Sequence, residues 1–230
     1  MAKTFFVTGT DTDVGKTVVS AALLQAANKK DLQTLAIKPV AAGCDNTVEG
    51  LRNSDALLLQ KHMTVDLAYE QVNPIALEAP AAPHIVAATQ GKSLSVSRLV
   101  GFCRGALMTK HDFSLIEGAG GWRVPLNARE TLADLPRELN IPVILVVSIK
   151  LGCINHALLT AESIQRDGLI LAGWVANRTQ ECAIDFENEN IATLQSLIPA
   201  PCLGVLPFSS PLSIENLSES LFVEPLVSGA

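Results

Sequence analysis

Gly9-Thr10-Asp11-Thr12-Asp13-Val14-Gly15-Lys16-Thr17 is the stretch on which the fold turns. It follows a short apolar run, Thr4 to Thr8, and opens an alanine- and leucine-rich segment, Lys16 to Asn28, with helical spacing. A glycine-bearing turn between strand and helix presents successive backbone N–H groups and a positive helix end to an anion. Lys16 adds a mobile charge, and the Thr17 hydroxyl is of the type that coordinates Mg²⁺ beside a nucleotide's phosphates. The strict pattern G-x-x-x-x-G-K-[ST] misses by one place, because Thr10 stands where its first glycine belongs. The plainer alternative, in which Gly-Lys-Thr only opens a helix, leaves the preceding strand unexplained. Residues Asp13 to Val18 are therefore candidates for holding a nucleotide's phosphates.

Outward from the loop, apolar β-branched runs alternate with helical stretches, the sequence form of β-α units around a parallel sheet. Strands are expected near Thr4 to Thr8, Leu35 to Pro39, Phe113 to Glu117, Val143 to Ser148, Leu171 to Ala176 and Cys202 to Val205. Helices are expected over Lys16 to Asn28, Ser54 to His62 with a Ser cap, Ser95 to Lys110 and His156 to Arg166. Val72 to Gln90 carries Pro74, Pro80 and Pro83 and should be irregular before a short helix. The expected fold is α/β, a three-layer phosphate-loop (P-loop) NTPase-like type with helices on both faces of a mostly parallel sheet. A single ATP-binding domain over 1–230 is expected, its Ser-, Pro- and Glu-rich tail after Pro207 the least ordered part.

Composition narrows the partners. With 48% hydrophobic and 17% charged residues in 230, the chain can bury a substantial core. A net charge of −6 and no basic cluster argue against nucleic acid. Five scattered cysteines without a C-x-x-C pair suit a reducing compartment. No signal peptide is read at the start, and the longest strongly apolar stretch, Ile141 to Val147, is too short to span a bilayer. A cytoplasmic protein without membrane contact is expected.

Three side chains complete the candidate chemistry. A Mg²⁺ held by one hydroxyl needs carboxylates. Glu117 ends a buried strand and runs into Gly118-Ala119-Gly120-Gly121, where backbone can approach a ligand closely. Asp55 is a second acid, although an acid in a first helical turn equally serves the helix dipole. Lys38, at the end of the second strand before Pro39, would aim an ammonium at the same sheet edge. Replacing Lys16 or Lys38 by Ala should lower turnover by orders of magnitude and leave the fold intact, since neither is expected to fill the core.

Taken in order, GTDTDVGKT (Gly9 to Thr17), KPV (Lys38 to Val40), LRNSDA (Leu51 to Ala56), EGAGGW (Glu117 to Trp122), KLGCINH (Lys150 to His156) and LAGWVAN (Leu171 to Asn177) resemble the dethiobiotin synthetase family, from the first strand to about Pro207. The resemblance implies ATP-dependent ring closure of 7,8-diaminopelargonate with CO2, through a carbamate and its mixed anhydride with phosphate, releasing ADP and phosphate. It implies that Thr12 and Lys16 contact the transferring phosphoryl group and that Lys38 holds the carbamate. Thr17, Asp55 and Glu117 would bind Mg²⁺. The nucleotide held by Asp13 to Val18 would be ATP; Gly118, Ala119 and Gly120 would meet it as well, and Gly118 to Gly121 would line the diamine site. Asn177, Leu206 and Pro207 would recognise adenine. The family is a homodimer in which Gly152, Cys153, Ile154 and Asn155 would offer a helix N-terminus to the substrate carboxylate in the neighbouring subunit's site.

Two positions depart from the family pattern. Ala42 replaces a frequent small hydroxyl residue, and Asp13 is one methylene shorter than the Glu of some relatives. Cys153, His156, Trp122 and Trp174 are read as packing or capping residues, not catalytic ones. Two rival classes share the loop. An amidase-type ligase of corrinoid synthesis needs a further glutamine-hydrolysing domain with a nucleophilic cysteine. A partitioning-type ATPase needs a signature lysine where this chain has Asp11.

Overall fold

A computed structural model describes residues 2–227. In chain order its elements are β1 (Lys3–Gly9), α1 (Lys16–Asn28), β2 (Thr34–Ile37), β3 (Val40–Ala41), β4 (Asp45–Thr47), β5 (Gly50–Arg52), α2 (Ser54–His62), α3 (Tyr69–Val72), β6 (Ile75–Ala76), α4 (Pro83–Thr89) and α5 (Val96–Leu107). There follow β7 (Phe113–Glu117), α6 (Asp134–Leu139), β8 (Val143–Ser148), α7 (Cys153–Arg166), β9 (Leu171–Asn177), α8 (Glu187–Leu197), β10 (Cys202–Leu206), α9 (Ile214–Ser218) and α10 (Glu224–Val227).

Six strands pair in the order β10-β9-β8-β1-β7-β2, every pair parallel. Successive residues of a strand face opposite sides of its sheet. Every residue of β2, β7 and β8 is buried, so both faces lie under other elements and the molecule has three layers. Parallel pairing also sends all six carboxyl ends to one edge. The chain leaves that edge at Thr10, Lys38, Gly118, Ile149, Arg178 and Pro207. β1 sits between β7 and β8, where the order of winding reverses, and this is the crevice in which open α/β sheets take ligands. Among the described residues no helix is long and apolar enough to cross a membrane.

Local departures from the sequence reading have identifiable causes. The helix at Ser54 is capped by Asn53, whose side chain accepts the Ala56 N–H, and not by Ser54 itself. The proline-bearing stretch after Val72 contains a short strand, β6, parallel to β3, and Pro83 begins α4 at its first turn, where a missing N–H costs nothing. Helix α7 starts at Cys153, earlier than His156.

The largest correction is the tail after Pro207, expected to be the least ordered part; its last residues, 228–230, lie outside the described residues. It packs down through α9 against α1 and through α10 against β9. Ile214, Leu217, Leu221, Val223 and Leu226 are all buried, and each large apolar side chain removed from water contributes about 1.5–3 kcal/mol. Leu221 bridges Gly204 in antiparallel fashion, and the Phe222 N–H donates to the Leu203 carbonyl at 2.8 Å. A Cβ on Gly204 would lie 2.0 Å from the Ser220 carbonyl oxygen, so only glycine admits this contact.

Candidate active site

The loop between β1 and α1 turns left-handed at Asp13 (φ 57°) and again at Gly15 (φ 84°), the kind of alternation that directs consecutive N–H groups into one concavity. Its outer curve is pinned from across the sheet. Asn177, at the end of β9, donates from Nδ2 to the Val14 carbonyl at 2.9 Å. One amide hydrogen of the residue expected to recognise adenine is thereby committed to the loop. Asp11 fixes the near side, its carboxylate accepting the Thr12 N–H at 2.8 Å and lying 3.7 Å from the Lys150 ammonium. Lys16 folds back over the loop and donates to the Asp11 carbonyl at 3.2 Å. Burial pulls the Lys16 ammonium below its ordinary value, helped by the charge of Lys38 and opposed by Glu117, Asp55 and Asp13.

A Cβ at Gly15 would lie 2.1 Å from Asn177 Nδ2. Gly15→Ala is therefore expected to weaken ATP binding by about tenfold or more, because it adds a left-handed penalty of about 1–2 kcal/mol and displaces the Asn177 brace. Equilibrium titration calorimetry with ATP measures this directly.

Next to the loop lies a buried charged cluster. Glu117 closes β7 with no exposed surface, and its Oε1 accepts from the Thr17 hydroxyl at 2.8 Å and the Lys38 ammonium at 2.7 Å. Lys38 also pairs with Asp55 Oδ2 at 2.9 Å. Burial alone would lower the Lys38 pKa, but the carboxylates of Glu117 and Asp55 outweigh it and hold the group above its ordinary value. Lys38, expected to lie outside the core, is buried in it instead, balancing a carboxylate inside the protein. Lys16 is buried as well.

Thr17, Asp55 and Glu117, the three expected Mg²⁺ ligands, are thus gathered around Lys38. Among the described residues no group of three or more His, Cys, Asp or Glu side chains could hold a metal by itself. The donor set here is one hydroxyl and two carboxylates, the oxygen chemistry that a hard divalent cation prefers. Glu117 Oε2 is buried without a hydrogen-bond partner. An acceptor left unpaired in such a place fits a cation beside it.

The remaining predicted residues line the same edge. A side chain at Gly120 would come within 3.7 Å of the Thr12 hydroxyl, and one at Gly121 within 3.6 Å of the Gly9 carbonyl oxygen, so these two glycines run alongside the loop, while Gly118 packs against Phe6 and Val7 of β1. Asn177 and Leu206 are cross-strand partners, with Pro207 immediately beyond. Gly152, left-handed at φ 91°, leads into α7; Cys153 is buried, Ile154 partly buried, and Asn155 exposed. His156, expected to pack or cap, is exposed. Trp122 is buried edge-on against Phe6 and donates to Asp167, and Trp174 is fully buried. The sequence reading missed Asp11, Lys150, Asn53, Tyr69 and Asn73, all of them in the hydrogen-bonded surroundings of these groups. Asn53 alone had a visible signal, as a cap-forming residue before a helix.

Comparison with known proteins agrees with this arrangement. A family model described as AAA domain matches residues 3–216. The MinC:MinD cell division protein complex of Aquifex aeolicus superposes with TM-score 0.59 at 16% identity, over 95% of this chain and 87% of that one. A ParA family ATPase from Chlorobium tepidum TLS gives TM-score 0.57 at 11% identity, over 100% and 95%. At such identities the likeness is one of fold. Sequence relatives are much nearer. The ATP-dependent dethiobiotin synthetase BioD of Cellvibrio japonicus is 58% identical over 225 residues, 98% of each chain. That of Marinobacter nauticus is 55% identical over 232 residues, 99% of each. Matched end to end at this level, the chain belongs to the ATP-dependent dethiobiotin synthetase family.

Proposed function

We propose that the chain closes the urea ring of dethiobiotin from 7,8-diaminopelargonate, CO2 and ATP, as a cytoplasmic homodimer whose residues 1–230 form one ligase domain. As a member of its family it is an ATP-dependent ligase of biotin biosynthesis. The observation that carries the finer reading is the convergence of Lys38, Thr17, Asp55 and Glu117 within hydrogen-bond reach, beside the anion-binding loop.

The chemistry follows from charge. One amine of the diamine adds to CO2, forming a C–N bond and losing a proton. The resulting carbamate oxygen attacks the γ-phosphorus of ATP, and ADP leaves. The second amine attacks the carbamate carbon, and phosphate leaves as the ring closes. Two anions, the carbamate and the triphosphate, must be brought into contact, so preorganised positive charge is the main catalytic contribution. Lys16, aided by Thr12, faces the transferring phosphoryl group, and Lys38 faces the carbamate. Residues Asp13 to Val18 hold the phosphates, with Gly118, Ala119 and Gly120 alongside. Gly118 and Gly121 border the diamine, and Asn177, Leu206 and Pro207 meet the adenine. Mg²⁺ held by Thr17, Asp55 and Glu117 would supply further neutralisation across the phosphates. Gly152 to Asn155 would receive the substrate carboxylate across the dimer. With Ala42 lacking a hydroxyl, one hydrogen bond to substrate passes to water or is absent.

The test is to incubate purified protein with the diamine, bicarbonate, Mg²⁺ and ATP, and to measure ADP and dethiobiotin together. Equimolar formation is expected. Phosphate release with no cyclic urea would reject the reading.

A further inference from the structure

We infer that Tyr69 and Asn73 are positioning residues that hold Lys38 and Asp55 in register with one another. The inference rests on the reading above, in which those two side chains face the carbamate and the metal.

Lys38 and Asp55 come from separate segments, the end of β2 and the first turn of α2, with the β4–β5 hairpin between them. Their 2.9 Å ion pair therefore depends on how these segments are fixed. Both are fixed through one phenol. The Tyr69 hydroxyl accepts the Asn53 N–H at 2.7 Å, at the cap of the helix that carries Asp55. It donates to Asn73 Oδ1 at 3.0 Å, and Asn73 Nδ2 in turn donates to the Lys38 carbonyl at 2.7 Å. The Lys38 N–H is held from the same side by the Val72 carbonyl at 2.8 Å. Tyr69, Asn53 and Asn73 are all buried, where each hydrogen bond is strengthened and each lost partner is costly.

A network that only satisfied its own polar atoms would have no need to span these two segments. This one connects the backbone of Lys38 to the N-terminus of α2 in three bonds through one hydroxyl. The ring is fixed independently by the Arg52 guanidinium, 4.2 Å from its centroid. The hydroxyl can therefore be removed without unseating the side chain.

The experiment compares wild type with Tyr69→Phe, Asn73→Ala, their double variant, and Leu59→Val, which loosens the buried face of α2 without touching the network. For Tyr69→Phe, kcat is expected to fall about tenfold or more while KM for ATP stays within about twofold, the signature of lost transition-state positioning. The double variant should be no worse than the worse single one, because both act on one network. Leu59→Val should retain kcat at comparable loss of thermal stability. Hydrogen exchange gives a readout independent of turnover: the Asn53 and Lys38 amides should both exchange faster in Tyr69→Phe. A folded Tyr69→Phe with wild-type kcat, or an equal loss of kcat in Leu59→Val, would overturn the inference. If wild type makes no dethiobiotin, the ring-closure reading fails, and exchange alone decides: faster at both amides upholds the positioning role, unchanged at either overturns it.

Discussion

Lys38→Ala is expected to lower kcat by about 10²–10³ or more, the loss typical when a preorganised charge aimed at a developing anion is removed. The same change should destabilise the fold by about 3–5 kcal/mol, because it leaves the fully buried Glu117 carboxylate without its counter-charge. The two effects separate cleanly. In Lys38→Met/Glu117→Gln, neither charge remains, and stability should return to near the wild-type level while turnover stays lost. Urea denaturation and the dethiobiotin assay, run on the same preparations, distinguish these outcomes. Wild-type turnover in Lys38→Ala would remove the residue from the mechanism. The pH dependence follows from the raised Lys38 pKa. A group whose pKa is higher folded than unfolded stabilises fully below the unfolded value, ordinarily 10.5, and ceases to do so above the folded one. Its stabilisation is therefore intact throughout the neutral range.

Lys16→Ala is expected to cost turnover about as much, about 10²–10³, and to weaken ATP binding as well. Its effect on the unliganded fold should be the opposite of that of Lys38→Ala. Lys16 is buried against the carbonyl of Asp11, and burial holds its pKa below 10.5. A lysine whose pKa is lower folded than unfolded carries a desolvation cost that is fully present below the folded pKa and fades as pH climbs towards 10.5. Lys16→Ala should thus equal or exceed wild type in stability near neutrality, with the difference shrinking in alkaline buffer. Adding ATP should reverse the order, since only wild type gains the full binding energy. Melting temperatures with and without ATP, at neutral and alkaline pH, give the answer. Loss of stability without ATP at neutral pH would show that Lys16 supports the fold itself.

Much of this site was legible in the sequence because its parts are local. The strand, the glycine turn, Lys16 and Thr17 are contiguous, and Glu117 and Lys38 each stand at the end of an apolar run. The parts that were not legible depend on contacts between distant segments. That Glu117, Lys38 and Asp55 form one network follows from the pairing of β2 with β7 and the approach of α2 to β2, which no spacing encodes. Tyr69 and Asn73 lie in and beside a four-residue helix too short for any periodic signal. The buried residues of the tail, Ile214 to Leu226, are interleaved with Ser, Glu and Pro, and their core contacts outweigh that polar composition. Asn53 and Ser54 are both good cap residues, and backbone geometry chose the first.

The contact of Leu221 and Phe222 with β10 has a consequence for the behaviour of the protein in solution. β10 is the outermost strand on its side of the sheet, and an outermost strand offers unpaired N–H and C=O groups to any other extended chain. Here the molecule's own C-terminal segment takes up part of that row. A version ending near Pro207 would present a bare β-edge together with the apolar surface that the tail hides, a combination that favours clumping between copies. The tail thus acts as a guard against uncontrolled edge-to-edge clumping as much as a contributor to the core.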